Sequence, residues 1–267
     1  MEHVTSADGT TIAYDRLGSG APLILVSGAT ADRSADAQIA EALAETFTVY
    51  NYDRRGRGDS TDTLPFAPER EIEDIAALLE AAAGDSAHDG AGAAAVVGFS
   101  SGAALAARAA AALPARALVM WEPPFMTDEA GLARAKDYTE TLNARLGAGD
   151  LDGALTTFLR YVGLPDEAID GTRQSPFWAA GVRIAPTLAY DNAAMGNDGV
   201  VPADVFGRIT APTLVLAGGA SPDFLPAAAK AVAEAIPGAQ TGILEGQMHN
   251  VDAAVFADAV REFLLRA

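Results

Sequence analysis

Short apolar runs that alternate with Ala-rich stretches constrain this chain more than any other feature, because few architectures accommodate that alternation. The runs are residues 22–27, 48–52, 93–99, 117–121, 212–217 and 241–244. Helical stretches separate them at 36–45, 68–83, 103–112 and 226–235, and a last one follows at 251–265. In the second, Ile72, Ile75, Ala76 and Leu79 recur at helical spacing, and Glu69, Glu71, Glu73 and Asp74 favour its N-terminus. Strands apolar along their whole length are buried on both faces. The expected fold is therefore α/β, a mainly parallel central sheet with helices on both faces. Residues 10–17 and 22–27, joined by Gly18-Ser19-Gly20, read as a hairpin or meander at the start of that sheet. Residues 84–92 read as a loop.

The rhythm breaks once. Residues 125–205 lack strand-helix alternation and hold helical patches at 132–146 and 151–161 among loops rich in Gly, Pro and Asp. Rhythm returns at 212. The expected organisation is a core of residues 1–124 and 206–267 with a helical cap of 125–205 inserted over the carboxyl edge of the sheet.

Composition narrows the function. A chain of 267 residues, half of them hydrophobic, can bury a substantial core. Its 36 acids against 18 bases give a net charge of −18, a field that repels nucleic-acid backbones and anionic membranes. The same acidity serves solubility and does not report substrate charge. No cysteine is present, which excludes disulfides, thiolate catalysis and Cys-based zinc sites. Met1-Glu2-His3-Val4-Thr5 lacks the basic start and apolar stretch of a signal peptide, and no apolar run approaches the roughly 20 residues of a membrane span. A cytoplasmic protein is expected. No dinucleotide or phosphate-binding glycine loop and no clustered metal ligands occur, so no cofactor and no metal are expected.

One segment carries chemistry. Ala94-Ala95-Val96-Val97-Gly98-Phe99-Ser100-Ser101-Gly102-Ala103-Ala104-Leu105 reads as a strand, a tight Gly-x-Ser-x-Gly turn and a helix. The glycines remove side chains where strand and helix start would collide, and Ser100 stands exposed on the turn at a helix N-terminus. A serine nucleophile needs a base. Of the three histidines, His3 lies in an end expected to fray and His88 in the loop beside Asp85, Ser86 and Asp89. His249 follows the last strand, which brings it to the carboxyl edge of the sheet with Ser100.

On these residues the chain resembles the α/β-hydrolase superfamily along nearly its whole length, as a serine-nucleophile member with a helical cap. The family order of nucleophile, acid and histidine accommodates Ser100 and His249. Tyr52-Asp53-Arg54-Arg55-Gly56-Arg57-Gly58-Asp59-Ser60 resembles the charged loop that these proteins carry after the fourth strand, and its charges imply a structural, loop-pinning role. The resemblance implies an oxyanion hole of two backbone N–H groups, those of Ser101 and of Ala29 in Ser27-Gly28-Ala29. Two positions compete for the acid. The common one follows the seventh strand, where Gly218-Gly219-Ala220-Ser221-Pro222-Asp223 puts Ser221 at the expected place and Asp223 two residues beyond. A minority of relatives use the end of the sixth strand, where Glu122 ends Val119-Met120-Trp121 and needs a partner. Position favours Glu122, with Asp223 the alternative.

The leading expectation is a serine hydrolase that cleaves a small, largely apolar ester, lactone or related carbonyl compound through an acyl-enzyme on Ser100. Phe99, Trp121, Phe125 and Trp178 are expected to wall an enclosed substrate pocket. The alternatives are the same triad used for C–C bond hydrolysis, perhydrolysis or a lyase or cyclase step, and a non-catalytic ligand-binding protein. The partner expected is a small-molecule substrate, with neither nucleic acid nor membrane; a homodimer remains open.

Overall fold

The apolar runs are strands, and their side chains alternate between two cores. The protein, a computed structural model, is described over residues 1–89 and 93–267, without the side chains of 86–89. Among the described residues the strands are β1 (Glu2–Thr5), β2 (Thr11–Leu17), β3 (Pro22–Val26), β4 (Thr48–Tyr52), β5 (Ala95–Phe99), β6 (Leu118–Trp121), β7 (Thr213–Gly218) and β8 (Gln240–Leu244). They form one sheet in the order β1-β2-β4-β3-β5-β6-β7-β8. β1 pairs antiparallel with β2 and β2 with β4; every pairing beyond is parallel.

The helices before the long excursion are α1 (Ala37–Ala44), α2 (Pro68–Asp89) and α3 (Ser101–Ala110). The excursion between β6 and β7 holds α4 (Glu129–Gly147), α5 (Leu151–Tyr161), α6 (Asp166–Thr172), α7 (Pro176–Ile184), α8 (Leu188–Ala194) and α9 (Ala203–Phe206). After β7 come α10 (Phe224–Ala235) and α11 (Ala253–Leu264). Ile24, Val26, Val96, Met120 and Val215 enter a core covered by α2, α3 and α10. Their neighbours Leu23, Leu25, Val97, Trp121 and Leu216 enter the opposite core, covered by α1 and α11. A strand buried on both faces can afford no polar alternation, and β3, β4, β5, β6 and β7 have none of their residues exposed.

Three local expectations are corrected. β2 and β3 are not a hairpin: β2 pairs with β1 and β4, and β3 sits between β4 and β5. The glycines between them serve a close approach instead, since a side chain on Gly18 would enter the backbone of Ala44 and Phe47. β3 pairs parallel with β4 on one side and β5 on the other. His3 is not frayed; it pairs with Ala13 in the edge strand β1, which Tyr14 ties down by donating to Glu2 at 3.1 Å. α2 runs through Gly84 to Asp89, held by the Tyr50 hydroxyl donating to Asp85 at 2.7 Å. Residues 90–92, the rest of the expected loop, and the side chain of His88 lie outside the described residues.

The excursion contains helices and, among the described residues, no strand. It holds more helix than the two patches read from sequence, since α6, α7 and α8 are too short for periodicity to reveal. Its two ends meet: the Phe125 and Phe206 rings pack edge-on at 5.7 Å within the α3-side core. A separate apolar cluster of Tyr138, Leu142, Leu155 and Leu188 fills it and packs onto Ala29. No helix among the described residues is long and apolar enough to cross a membrane.

Phe256 is the keystone of the α11 side. It is fully buried, with its ring 4.7 Å from Phe99 and 5.8 Å from Trp121. Phe256→Ala should therefore cost about 3–5 kcal/mol, the range for emptying a buried aromatic site. Urea denaturation followed by Trp fluorescence measures it, and a loss under about 1 kcal/mol would contradict this packing.

Candidate active site

The turn at Ser100 exists because two glycines let backbone touch backbone. A Cβ on Gly98 would lie 2.5 Å from the Gly102 carbonyl oxygen and 2.6 Å from the Ala103 Cα. One on Gly102 would run into the carbonyls of Val26 and Ser27 at the end of β3. The first turn of α3 thus rests directly on the neighbouring strand. Ser100 links β5 to α3 with φ 54° and ψ −125°, a strained conformation for a residue with a side chain. Its N–H donates to the Trp121 carbonyl at 2.9 Å, and its position before α3 puts it in the field of a helix N-terminus.

Register brings Glu122 alongside. Phe99 pairs with Trp121, so Ser100 and Glu122 are the next residues out on adjacent strands. Glu122 is fully buried. Its Oε1 accepts the Gly218 N–H at 2.8 Å and its Oε2 lies 2.6 Å from His249 Nδ1. Burial alone would raise this carboxyl, but the bonds from His249 and from the Gly218 N–H outweigh it and hold it below the usual carboxylate range. An ionised carboxylate only accepts hydrogen bonds, so Nδ1 carries the proton and Nε2 of the neutral ring is the acceptor. The indole of Trp121 donates to the His249 carbonyl at 2.9 Å, so the last residue of β6 and the one after it hold the backbone and the ring of the histidine. Asp223 is exposed at the start of α10, and among the described residues its carboxylate makes no hydrogen bond or ion pair.

The loop after β3 borders the serine: a Cβ on Gly28 would lie 3.1 Å from Cβ of Ser100. Among the described residues the N–H groups of Ala29 and Ser101 have no protein acceptor. Backbone strain concentrates here. Of the four non-glycine residues with positive φ among the described residues, Thr30, Ser100 and Glu122 lie at this site and Asn197 lies elsewhere. Such strain persists only where the surroundings over-determine it, as at functional sites.

Beneath the loop lies a buried ion network. Arg54 is bidentate on Glu71, at 2.7 and 2.9 Å, and donates to Asp191 at 2.5 Å. Arg57 donates to Asp191 at 2.7 Å and to the Gly28 carbonyl at 2.6 Å. The Ser101 hydroxyl donates to Asp191 at 2.8 Å. All five side chains are buried. Burial would raise the Asp191 carboxyl, but Arg54 and Arg57 outweigh it and hold it below its ordinary range.

An alpha/beta hydrolase family model matches residues 23–262. The chain belongs to that family. It is similar over 98% of its length to an alpha/beta hydrolase from Sphaerobacter thermophilus, with 42% identity, all of that chain covered and a TM-score of 0.85. A hydrolase from Pseudomonas aeruginosa matches 98% of this chain and 97% of its own at 25% identity and TM-score 0.73. A thermophilic esterase from Thermogutta terrifontis shares the fold at 23% identity and TM-score 0.67, covering 99% and 98% of the two chains. No curated protein matched the chain.

Within this alpha/beta hydrolase the expected substrate wall is mostly core. Trp121 and Phe125 have no accessible surface, and Phe99 is buried against Phe256. Inward residues at the end of a parallel strand meet the covering helix before they meet a ligand. Trp178 is half-buried, with its indole donating to Asp152 and Arg173 over its ring. The site is also more open than an enclosed pocket, since the His249 side chain is 45% exposed. Arg54 and Arg57 are too buried to touch a substrate, in keeping with a structural role.

Sequence reasoning missed Asp191. A signal was present: Leu188, Asp191, Asn192 and Met195 follow helical spacing, so the acid falls on a buried stripe.

Gly102→Ala should cost more than about 3 kcal/mol or leave no folded protein, because the added methyl meets backbone carbonyls that cannot turn aside. A soluble variant with the wild-type melting temperature would refute the contact.

Proposed function

We propose that this alpha/beta hydrolase is a carboxylic ester hydrolase acting on a small, uncharged, largely apolar ester or lactone through an acyl-enzyme on Ser100. The observation that carries the reading is the 2.6 Å bond between the buried Glu122 carboxylate and His249 Nδ1, with Glu122 and Ser100 each one residue beyond the Phe99–Trp121 strand pair. Nε2 of His249 takes the hydroxyl proton as Ser100 Oγ attacks the carbonyl carbon. The developing oxyanion is received by the N–H groups of Ala29 and Ser101. Collapse expels the alkoxide, which takes the proton from Nε2. Water, activated by the same nitrogen, then attacks the acyl-enzyme and releases the acid. Glu122 fixes the tautomer and stabilises the imidazolium that forms transiently.

Two features support the substrate class. The apolar cluster of the excursion packs on Ala29, so its residues are the natural cap and face the acyl or alcohol group. The guanidiniums below are matched by Glu71 and Asp191, which leaves no spare positive charge to recruit an anion. The esterase from Thermogutta terrifontis is a fold relative with an activity of this kind.

A fluorophosphonate should label Ser100 alone, and p-nitrophenyl acetate should be turned over. His249→Ala should lower kcat on the order of 10⁴-fold, while His3→Ala is silent. Mass spectrometry that finds the adduct on Ser101, or no adduct on folded protein, would refute the nucleophile.

The acid is decided by comparing Glu122→Gln with Asp223→Asn on one ester. Glu122→Gln should lower kcat by roughly 10²–10⁴-fold with a smaller change in KM, because the charge it stabilises develops in the transition state. Asp223→Asn should stay within about twofold of wild type, as surface substitutions usually do. The reverse pattern would assign the acid to Asp223.

A further inference from the structure

We propose that Asp191 is the positioning residue of the oxyanion hole: one buried carboxylate, supplied by α8 of the excursion, aims the N–H groups of both Ala29 and Ser101. The inference deepens the acyl-enzyme reading above and rests on it.

The Gly28 carbonyl and the Ala29 N–H belong to one peptide, and in a trans peptide they point in opposite directions. Arg57 Nη1 holds that carbonyl oxygen at 2.6 Å. The N–H is thereby turned away from Arg57, and the bond polarises the peptide and strengthens it as a donor. Arg57 is itself fixed by Asp191 Oδ2 at 2.7 Å and by the Thr187 hydroxyl at 3.1 Å. Arg54 takes the preceding carbonyl, that of Ser27, at 3.3 Å, and is fixed by Asp191 Oδ1 at 2.5 Å and by Glu71.

The second donor is tied to the same group. Ser101 supplies its N–H to the oxyanion, and its hydroxyl donates to Asp191 Oδ1 at 2.8 Å. One carboxylate therefore sets both donors, one through two guanidiniums and the other through a hydroxyl. Asp191 is 4% exposed and Ser101 5%, so neither the carboxylate nor the hydroxyl is reached by substrate; they act through the backbone. The arrangement couples the excursion to the chemistry. A shift of α8 would move both N–H groups together.

The test uses the full-length protein, p-nitrophenyl acetate, a trifluoromethyl ketone and active-site titration with a fluorophosphonate. The ketone forms a hemiketal oxyanion with the nucleophile and reports the hole directly. Asp191→Asn keeps the shape and loses the charge. Per titrated site, its kcat should fall about 10- to 100-fold, below the 10²–10³ of a donor removed outright, with KM within about threefold. The ketone Ki should rise by the factor that kcat/KM falls. A merely structural role would lower the titrated fraction and leave Ki unchanged. Ser101→Ala removes only the hydroxyl and leaves the ion pairs; it should lower kcat about three- to tenfold with a matching rise in Ki, and it decides the matter if Asp191→Asn does not fold. Wild-type kcat and Ki in both variants, or in Ser101→Ala alone where the other is unfolded, would overturn the inference while the hydrolase reading stands. A folded wild type with neither turnover nor a label on Ser100 would overturn both.

Discussion

The contact on which this site depends has no side chain in it. The first turn of α3 lies on the carbonyls at the end of β3, and only glycine at 102 permits the approach. Three consequences follow from that one constraint. The turn at Ser100 must be sharp, so the serine takes positive φ. The hydroxyl leaves the sheet at its carboxyl edge. The loop after β3 must pass beside the serine, which brings Gly28 against its Cβ. The neighbourhood of the candidate nucleophile and the candidate oxyanion donors is thus a property of backbone packing, independent of the identities of Ala29 and Ser101.

Two buried carboxylates then divide the electrostatic work. Both are held in the ionised form against the cost of burial, but by partners of opposite character. Asp191 faces guanidiniums, which stay charged at every accessible pH, so its surroundings are static. Glu122 faces an imidazole, the side chain whose charge changes most readily near neutrality. A fixed network suits the holding of geometry; a carboxylate beside a group of variable charge suits proton transfer. The pairing with His249 further joins a fully buried oxygen to a ring that is half exposed, so the proton path opens toward water while its anchor does not.

Much of this was legible in the sequence, and the reasons are physical. Strands buried on both faces leave continuous apolar runs, and helices that cover them leave a periodic stripe, so the order of elements could be read directly. Ser100 stood out because two glycines flank it between a strand and a helix. Glu122 stood out because a carboxylate ending an apolar strand demands a partner. Pairing was harder: the Gly-rich link before β3 looks like a hairpin turn, although its glycines serve contact with Ala44 and Phe47. The burial of Phe99, Trp121 and Phe125 was not legible, because sequence gives the face of a strand but not its depth, and Trp121 has no accessible surface. Asp191 escaped because its partners are 90 or more residues away and its helix is only 7 residues long.

The charges buried under the site bear on the substrate proposed above. The protein carries a net charge of −18, yet the interior under the site pairs two guanidiniums with two carboxylates. With Arg54 and Arg57 both paired, neither of these guanidiniums is left to bind an anion. Ester cleavage turns a neutral substrate into a carboxylic acid, which ionises at neutral pH. The same electrostatics that are indifferent to the ester therefore disfavour the product acid. For the ester cleavage proposed above, balanced charge under the site would suit a reaction whose product acquires the charge that its substrate lacked.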